Sequence, residues 1–460
     1  MMSDLNTRDH EAMTVEGRGD GRAGGDLLMT KRAGEARSSV TPVRKTRLEN
    51  GLTIISEEMT QVRSVSFGIF LKTGSRQETP ARHGLTHFIE HALFKGTRTR
   101  TAAQLAAEAA RLGGNLDAFT GREIVGFHDK VLDEHLPRAF ELVADLVTAP
   151  VFDRLELEKE RNVILEELKM VEDTPDDIIF DLFSEGIYPN HPLGRPILGT
   201  RESLATFTPE LVWPYYREIF VPGNLVLAAA GNVPHDEVVE LARRHYGHLQ
   251  AGEVLAPGQI PTAEAPIVLH AREELEQSHL VIGAPCPSAV SEDRYTCHLL
   301  SVILGGGMSS RLFQSVREDR GLVYTIYSAV NLFSDCGNLT IYAGTSPERL
   351  TETVEATMAE VRRLKAAPME EEELHRNKEQ LKASLVLNLE STSSRMSALA
   401  QQEMTHGRHL TTEEIMAGVE AVTPEAIHRL AGQIFDSSHL SATVLGELDE
   451  FTLGRKDLAC

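Results

Sequence analysis

His87-Phe88-Ile89-Glu90-His91 is a short segment that would place two histidines and a glutamate on one face of an α-helix. Neutral imidazoles on successive turns can bind Zn²⁺, and a carboxylate beside them can accept a proton from water at the ion. In the more familiar spacing the glutamate directly follows the first histidine. Here Glu90 directly precedes the second histidine, which is the inverted arrangement. The segment therefore predicts a metal site on a helix.

The residues around this segment are mostly apolar. Gly84 and Leu85 precede it, Ala92-Leu93-Phe94 follow it, and Phe88 and Ile89 lie within it. A helix that turns its histidines and acid toward solvent is the alternative, but a mostly apolar helix is expected to be buried. Burying three polar groups is costly unless they share a partner, and a metal ion removes that cost. We therefore expect a buried metal site, and with it a zinc peptidase, rather than a helix face exposed to solvent.

A catalytic zinc site needs a third protein ligand and one open position for water. Residues 156–168 have the pattern of a long amphipathic helix, with Glu160 and Glu167 two turns, or about 10 Å, apart along its axis. Only one of the two can easily bind the ion, and the other would orient ligands or water. From the residues alone, glutamates on so charged a helix are ordinary, and a solvent-facing role is the simpler interpretation.

Two stretches carry a family resemblance. Residues 87–97 continue from His91 as Ala-Leu-Phe-Lys-Gly-Thr, and residues 160–167 read Glu-Arg-Asn-Val-Ile-Leu-Glu-Glu. Both resemble the pitrilysin (insulinase) family of zinc peptidases, and the chain is similar to its bacterial members of the mitochondrial processing peptidase type. The resemblance implies a zinc-dependent endopeptidase acting on extended peptides or unfolded segments. It implies these roles: His87, His91 and Glu167 as Zn²⁺ ligands, Glu90 as general base and Glu160 as a supporting acid.

The resemblance extends into the second half of the chain. Arg317 and Tyr324 match a pair that contacts substrate opposite the zinc ion, and a guanidinium and a phenol there can stabilise a developing oxyanion. Gly305, Gly306 and Gly307 match a loop near incoming substrate, because backbone without side chains can approach a ligand closely. The residues alone would make Tyr324 a half-buried strand residue, Arg317 a solvated one and the glycines a flexible turn.

Residues 113–120, Gly-Gly-Asn-Leu-Asp-Ala-Phe-Thr, resemble an edge strand that pairs with extended substrate in this family. The resemblance implies a substrate contact at Ala118. The family commonly has Asn-Ala-x-Thr there, whereas this chain has Asp117. An ionised carboxylate accepts hydrogen bonds but cannot donate them, unlike an amide. The contact at position 117 is therefore an open question, and a shift of preference toward basic peptides is one expectation.

The expected fold class is α+β, with two similar domains from an internal duplication, each an antiparallel-rich mixed sheet covered by helices. Asn50-Gly51 predicts an early hairpin, and the pattern of strands and helices restarts after residue 266. Residues 41–250 are expected to form the zinc-binding catalytic domain, and residues 267–460 the homologous domain that supplies substrate-contacting residues. A linker with prolines and glycines is expected at 251–266, and a disordered tail at 1–40.

The composition bounds the partners. The chain has 46 basic and 68 acidic residues, and its net charge of −22 argues against nucleic acid or an anionic membrane as a partner. No apolar run approaches a membrane span, and the start lacks a positive-then-apolar signal. The four cysteines show no Cys-x-x-Cys spacing and are expected to be reduced. These observations favour a cytoplasmic protein.

The number of domains bears on assembly. By resemblance, a chain with two such domains needs a second copy to enclose a peptide substrate. We expect a homodimer in which the zinc of one chain faces Arg317 and Tyr324 of the other. A heterodimer with an inactive partner is the competing arrangement, and a catalytically inactive structural or peptide-binding subunit is the alternative function. His83, one turn before His87, is expected to belong to the loop entering the helix.

Overall fold

The computed structural model describes residues 42–256 and 258–460. The tail predicted at 1–40 lies outside the described residues, as does Pro257 within the predicted linker. The remainder of the linker, residues 251–256 and 258–266, contains neither helix nor strand. Within the described ranges, no helix is long and apolar enough to cross a membrane.

Two mixed sheets organise the described part of the chain. The first sheet consists of β1 (Arg44–Arg47), β2 (Thr53–Glu58), β3 (Ser64–Leu71), β4 (Asp117–Thr120), β5 (Val125–Leu132) and β6 (Leu225–Gly231). The second consists of β7 (Ile267–Ala271), β8 (Ser278–Pro285), β9 (Val323–Leu332), β10 (Gly337–Thr345) and β11 (Ser441–Gly446). The strands of the first sheet lie in the order β1-β2-β6-β3-β5-β4, and those of the second in the order β7-β11-β8-β10-β9.

The two sheets share one topology. If β1 is set aside, β2-β6-β3-β5-β4 corresponds strand for strand to β7-β11-β8-β10-β9. In each sheet the outermost pair at one end is parallel (β2 with β6, β7 with β11), and the three following pairings are antiparallel. The predicted α+β fold with two similar domains is confirmed, and the repeated topology is what a duplication would leave. The domain boundaries stay predictions.

Helices fill the connections between strands. The first half contains α1 (Leu85–Leu93), α2 (Ala102–Leu112), α3 (Leu136–Thr148), α4 (Arg154–Glu172), α5 (Pro175–Ile187), α6 (Arg201–Ala205), α7 (Pro209–Ile219) and α8 (His235–Tyr246). The second half contains α9 (Arg294–Gly305), a π-helix (Phe313–Glu318), α10 (Leu350–Ala366), α11 (Glu371–Asn388), α12 (Thr392–His406), α13 (Thr412–Glu420) and α14 (Pro424–Ile434).

The halves exchange one helix each. Helix α5 of the first half packs on β8 and β11, and α12 of the second half packs on β2, β3 and β6. Phe183 of α5 is buried with Val281 and Leu445, and Met396 of α12 is buried with Phe70. Each fully buried side chain of this size contributes about 1.5–3 kcal/mol of transfer free energy. The exchange therefore fixes the two sheets against each other.

Candidate metal centre

Helix α1 carries the motif and begins at a constrained glycine. Gly84 has φ of 87°, and a Cβ atom there would lie 2.6 Å from Gly199 Cα, so no residue with a capping side chain fits. The first-turn N–H groups of a helix need other acceptors. The buried Glu78 carboxylate supplies them, accepting from the backbone N–H of Gly84 and of Thr86 at 2.7 Å each. Burial raises the pKa of Glu78 to about 7.

Three side chains from α1 and α4 converge on one point. The two imidazole centroids lie 4.5 Å apart, and Nε2 of His87 and of His91 lie 3.7 and 3.6 Å from Glu167 Oε2. A tetrahedral Zn²⁺ with bonds of about 2.0–2.1 Å separates its ligand atoms by about 3.4 Å. Glu167 Oε2 is buried and accepts no hydrogen bond from the described residues. The three residues therefore fit one shared ion.

The protonation of His87 suits a metal ligand. Burial, followed by the neighbouring His91, lowers the pKa of His87 well below its usual range. The imidazole is therefore neutral at physiological pH, which is the form that binds zinc.

Glu160 orients the second histidine. His91 Nδ1 lies 2.8 Å from Glu160 Oε1, which leaves Nε2 of the same ring to face Glu167. Lys95 Nζ lies 2.5 Å from the other carboxylate oxygen of Glu160. Burial alone would raise the pKa of Glu160, but His91 and Lys95 outweigh it and lower the pKa. Glu160 thus contacts the predicted ligand His91 but is not close to both imidazoles. This agrees with the two helical turns that separate Glu160 from Glu167.

Glu90 lies on the same helix face with its carboxylate in the site. Its Oε2 accepts a hydrogen bond of 2.5 Å from the Thr120 hydroxyl, at the end of β4. Burial raises the pKa of Glu90, and the Thr120 hydrogen bond partly offsets the rise. A buried carboxylate with a raised pKa is suited to accept and return protons.

Strand β4 is the outermost strand of the first sheet, and its residue Thr120 is hydrogen-bonded to Glu90. The backbone N–H of Ala118 donates to Asp117 Oδ1 at 2.9 Å rather than to a neighbouring strand. Asp117 itself is exposed. A peptide that paired with this edge would therefore have to displace the Asp117 carboxylate from the Ala118 N–H.

Arg317 and Tyr324 lie together in the second half. The Arg317 guanidinium sits 4.5 Å from the Phe313 ring centroid and 5.5 Å from that of Tyr324. Phe313 and Arg317 belong to the π-helix, a rare element that often marks functional sites. Tyr324 is 77% exposed on β9, the outermost strand of the second sheet. The structure thus brings this pair together and leaves the phenol open to a ligand.

The three glycines predicted to lie near substrate differ in their surroundings. Gly305 is buried at the end of α9, where a Cβ atom would lie 2.4 Å from the Ser328 backbone nitrogen. Close packing of α9 on β9 explains why this position is a glycine, and its contact with substrate stays a prediction. Gly306 is exposed and Gly307 half-buried, and their contact with substrate stays a prediction.

Sequence reasoning missed two residues of the site. Glu78 lies outside the motif, and its carboxylate reaches α1 only because the chain folds back at Gly84. Thr120 was visible as part of residues 113–120, but its contact with Glu90 joins a strand to a helix and has no sequence signal. His83 lies before α1, as predicted, with its Nε2 2.7 Å from the Pro196 carbonyl oxygen.

Two family profiles match the chain. Residues 53–201 match the one described as insulinase (peptidase family M16), and residues 206–381 match the one described as peptidase M16 inactive domain. A Bacillus subtilis protein named as an uncharacterized zinc protease is 40% identical over 409 residues, which cover 87% of this chain and 98% of that protein. A Streptomyces coelicolor protein named in the same way is 37% identical over 415 residues, covering 89% of this chain and 90% of that protein.

Solved structures share the fold. A protease from Helicobacter pylori has a TM-score of 0.83 at 21% identity, covering 88% of this chain and 100% of that one. A peptidase M16 inactive domain from Pseudomonas fluorescens has a TM-score of 0.82 at 20% identity, covering 88% and 98%. The family profiles and the sequence relatives show the family: the chain belongs to the insulinase family, peptidase family M16.

Proposed function

We propose that the chain is a zinc-dependent endopeptidase that hydrolyses extended peptides or unfolded segments. The observation that carries the proposal is the convergence of His87, His91 and Glu167 on one point beside the buried carboxylate of Glu90. Membership of peptidase family M16 and relatives named as zinc proteases support it. The metal ligands would be the two Nε2 atoms and one Glu167 oxygen, with Glu160 holding His91 in place.

Zn²⁺ bound there would act as a Lewis acid that lowers the pKa of water and polarises the scissile carbonyl. Glu90 accepts a proton from the attacking water and then delivers it to the nitrogen of the leaving amine. Glu160 keeps the His91 ring oriented throughout. Arg317 and Tyr324 donate hydrogen bonds to the carbonyl oxygen as it gains negative charge.

The peptide substrate would bind along the outer edge of β4. Strand addition would align an extended peptide along this edge and bring a backbone carbonyl past Glu90. A cavity of about 510 Å³ lies between the two halves, with Phe119 of β4, Phe180 of α5 and Tyr327 of β9 among its walls. Such a space can take side chains that point away from the metal.

We also propose that the working unit is a homodimer. The Arg317 guanidinium lies over the rings of Phe313 and Tyr324, while Tyr324 is exposed on the outer edge of the second sheet. An exposed phenol beside a guanidinium is suited to meet a group brought by another molecule. In the dimer, the metal half of one copy would face this pair on the other copy.

Substitution of the proposed base tests the function. Glu90→Gln should keep about one zinc per chain and stop hydrolysis of a quenched peptide, because an amide cannot accept the proton. Glu166→Gln is the matched control, since Glu166 is exposed on α4 and its ion pair within residues 42–256 and 258–460 is with Lys169. Undiminished turnover by Glu90→Gln would reject its role. Purified wild-type protein without zinc and without chelator-sensitive hydrolysis would favour the structural subunit instead.

A further inference from the structure

The Glu90 carboxylate has one side-chain partner within the described residues, the hydroxyl of Thr120. Their oxygen atoms are 2.5 Å apart, which is the range of a charge-assisted O–H···O⁻ hydrogen bond. The bond is made to Oε2, and Oε1 accepts no hydrogen bond from the described side chains. One carboxylate oxygen is thus held and the other is left for a reactant.

Thr120 is itself firmly placed. It pairs with Val125 at the closed end of the β4–β5 hairpin. The tip of this hairpin is tied to the segment before α1, because Ser75 N–H donates to the Gly121 carbonyl at 3.2 Å and Arg76 N–H to the Arg122 carbonyl at 2.9 Å. The hydroxyl therefore sits on a backbone that is anchored on the same side as the start of the motif helix.

We infer that Thr120 is a positioning residue for Glu90, which fixes the carboxylate so that Oε1 takes and returns the proton. This inference rests on the proposed peptidase function. In the proton balance, one water proton moves to Glu90 Oε1 as the water oxygen bonds to the carbonyl carbon. The same proton then moves from Oε1 to the leaving nitrogen as the C–N bond breaks. With Oε2 held by the hydroxyl, the carboxylate does not have to be reoriented between the two transfers.

Three variants test the inference. Thr120→Val removes the hydroxyl at nearly constant volume, and Thr120→Ser keeps it. Thr97→Val is the control, because Thr97 also donates its hydroxyl to a carboxylate, Asp145 Oδ2 at 2.7 Å, away from the site. Zinc content, thermal midpoint, kcat and KM for a quenched peptide are measured for each. Crystals of the zinc-loaded wild type and Thr120→Val report the position of the Glu90 carboxylate.

The expected result for Thr120→Val is a roughly 10- to 100-fold fall in kcat, with zinc content unchanged and KM within about 2-fold of wild type. Thr120→Ser should recover most of kcat, and Thr97→Val should leave kcat unchanged. The inference is overturned by wild-type kcat in Thr120→Val, or by a loss confined to KM or to zinc. If the wild type hydrolyses no peptide, the proposed function fails, and the crystals decide: an unmoved Glu90 carboxylate in Thr120→Val rejects the inference.

Discussion

The two halves of the chain share a sheet topology but differ in the chemistry on their helices. In the first half α1 packs on α4, and in the second half α9 packs on α11 at the corresponding place. The seventh and fourteenth residues of α4 are Glu160 and Glu167, whereas those of α11 are Asn377 and Ser384. The same helix packing therefore carries the carboxylates of the proposed metal centre in the first half and no carboxylate at these two positions in the second half.

The first helices differ in the same way. Buried positions of α1 include His87 and Glu90, whereas those of α9 include Leu299, Leu300 and Ile303. Apolar packing stabilises α9 directly, while α1 buries polar groups that need a shared partner. The repeated scaffold thus provides the packing in both halves, whereas a few side chains on α1 and α4 carry the proposed chemistry.

Loss of a ligand should produce the largest contrast between the halves. Glu167→Gln removes the anionic ligand, so zinc content should fall below about 0.1 per chain and peptide hydrolysis by at least about 10³-fold. Ser384→Ala alters the corresponding position on α11 and should change neither quantity. Metal analysis and a quenched-peptide assay measure both variants. If the Glu167→Gln protein kept its zinc and its activity, the assignment of Glu167 as a ligand would be wrong.

The division of labour between two copies can be tested by mixing. Glu90→Gln lacks the base, and Tyr324→Phe should lower kcat by about 10- to 100-fold because a hydrogen-bond donor to the oxyanion is lost. In a mixed dimer, one site would combine the intact Glu90 of one copy with the intact Tyr324 of the other. Mixing and re-equilibrating the two variants should therefore restore activity above the sum of both alone. No gain, with mixed dimers shown by native mass spectrometry, would contradict the shared site.

Substitution of Asp117, which lies in the first half, should have a smaller effect, and that effect should be on substrate specificity. Its exposed carboxylate lies at the free edge of β4, so a cationic peptide side chain nearby should draw it away from the Ala118 N–H. Wild type is expected to prefer peptides with Lys or Arg near the cleaved bond by about 3- to 10-fold at low salt. Asp117→Asn should abolish that preference in a positional peptide library. An identical preference in both proteins would assign the specificity to other residues.

The smallest expected effect concerns stability and pH. Asp129 of β5 is buried, whereas β10, the matching strand, carries neither acid nor base apart from Tyr342. Burial raises the pKa of Asp129 from 3.8 to about 6, so its contribution to stability is present below the lower value and lost as pH rises through the higher one. Between pH 4 and pH 7, the free energy of unfolding of Asp129→Asn should thus rise by about 1–3 kcal/mol relative to that of wild type. Urea unfolding of both proteins at pH 4 and pH 7 measures this change. A stability difference between the two proteins that is the same at both pH values would contradict the raised pKa of Asp129.

The sequence was sufficient where local pattern decides the structure. Asn50-Gly51 lies between β1 and β2 as predicted, and the inverted motif lies on a helix. Helices α5 and α12 could not be assigned to the opposite sheets, because that exchange depends on contacts between residues far apart in the chain. The same reason hid Glu78 and Thr120, whose partners lie on other elements. At Gly305 the sequence was ambiguous, because a glycine needed for helix–strand packing looks the same there as one left free for a ligand.

Anomalous diffraction at the zinc edge is the most direct test of the central claim. Crystals of wild-type protein grown with zinc should show one strong anomalous peak per chain, about 2.0–2.2 Å from His87 Nε2, His91 Nε2 and a Glu167 oxygen. Glu90 and Thr120 should remain in contact beside that peak. Full zinc loading with the peak elsewhere, or with Glu167 turned away from it, would contradict the account.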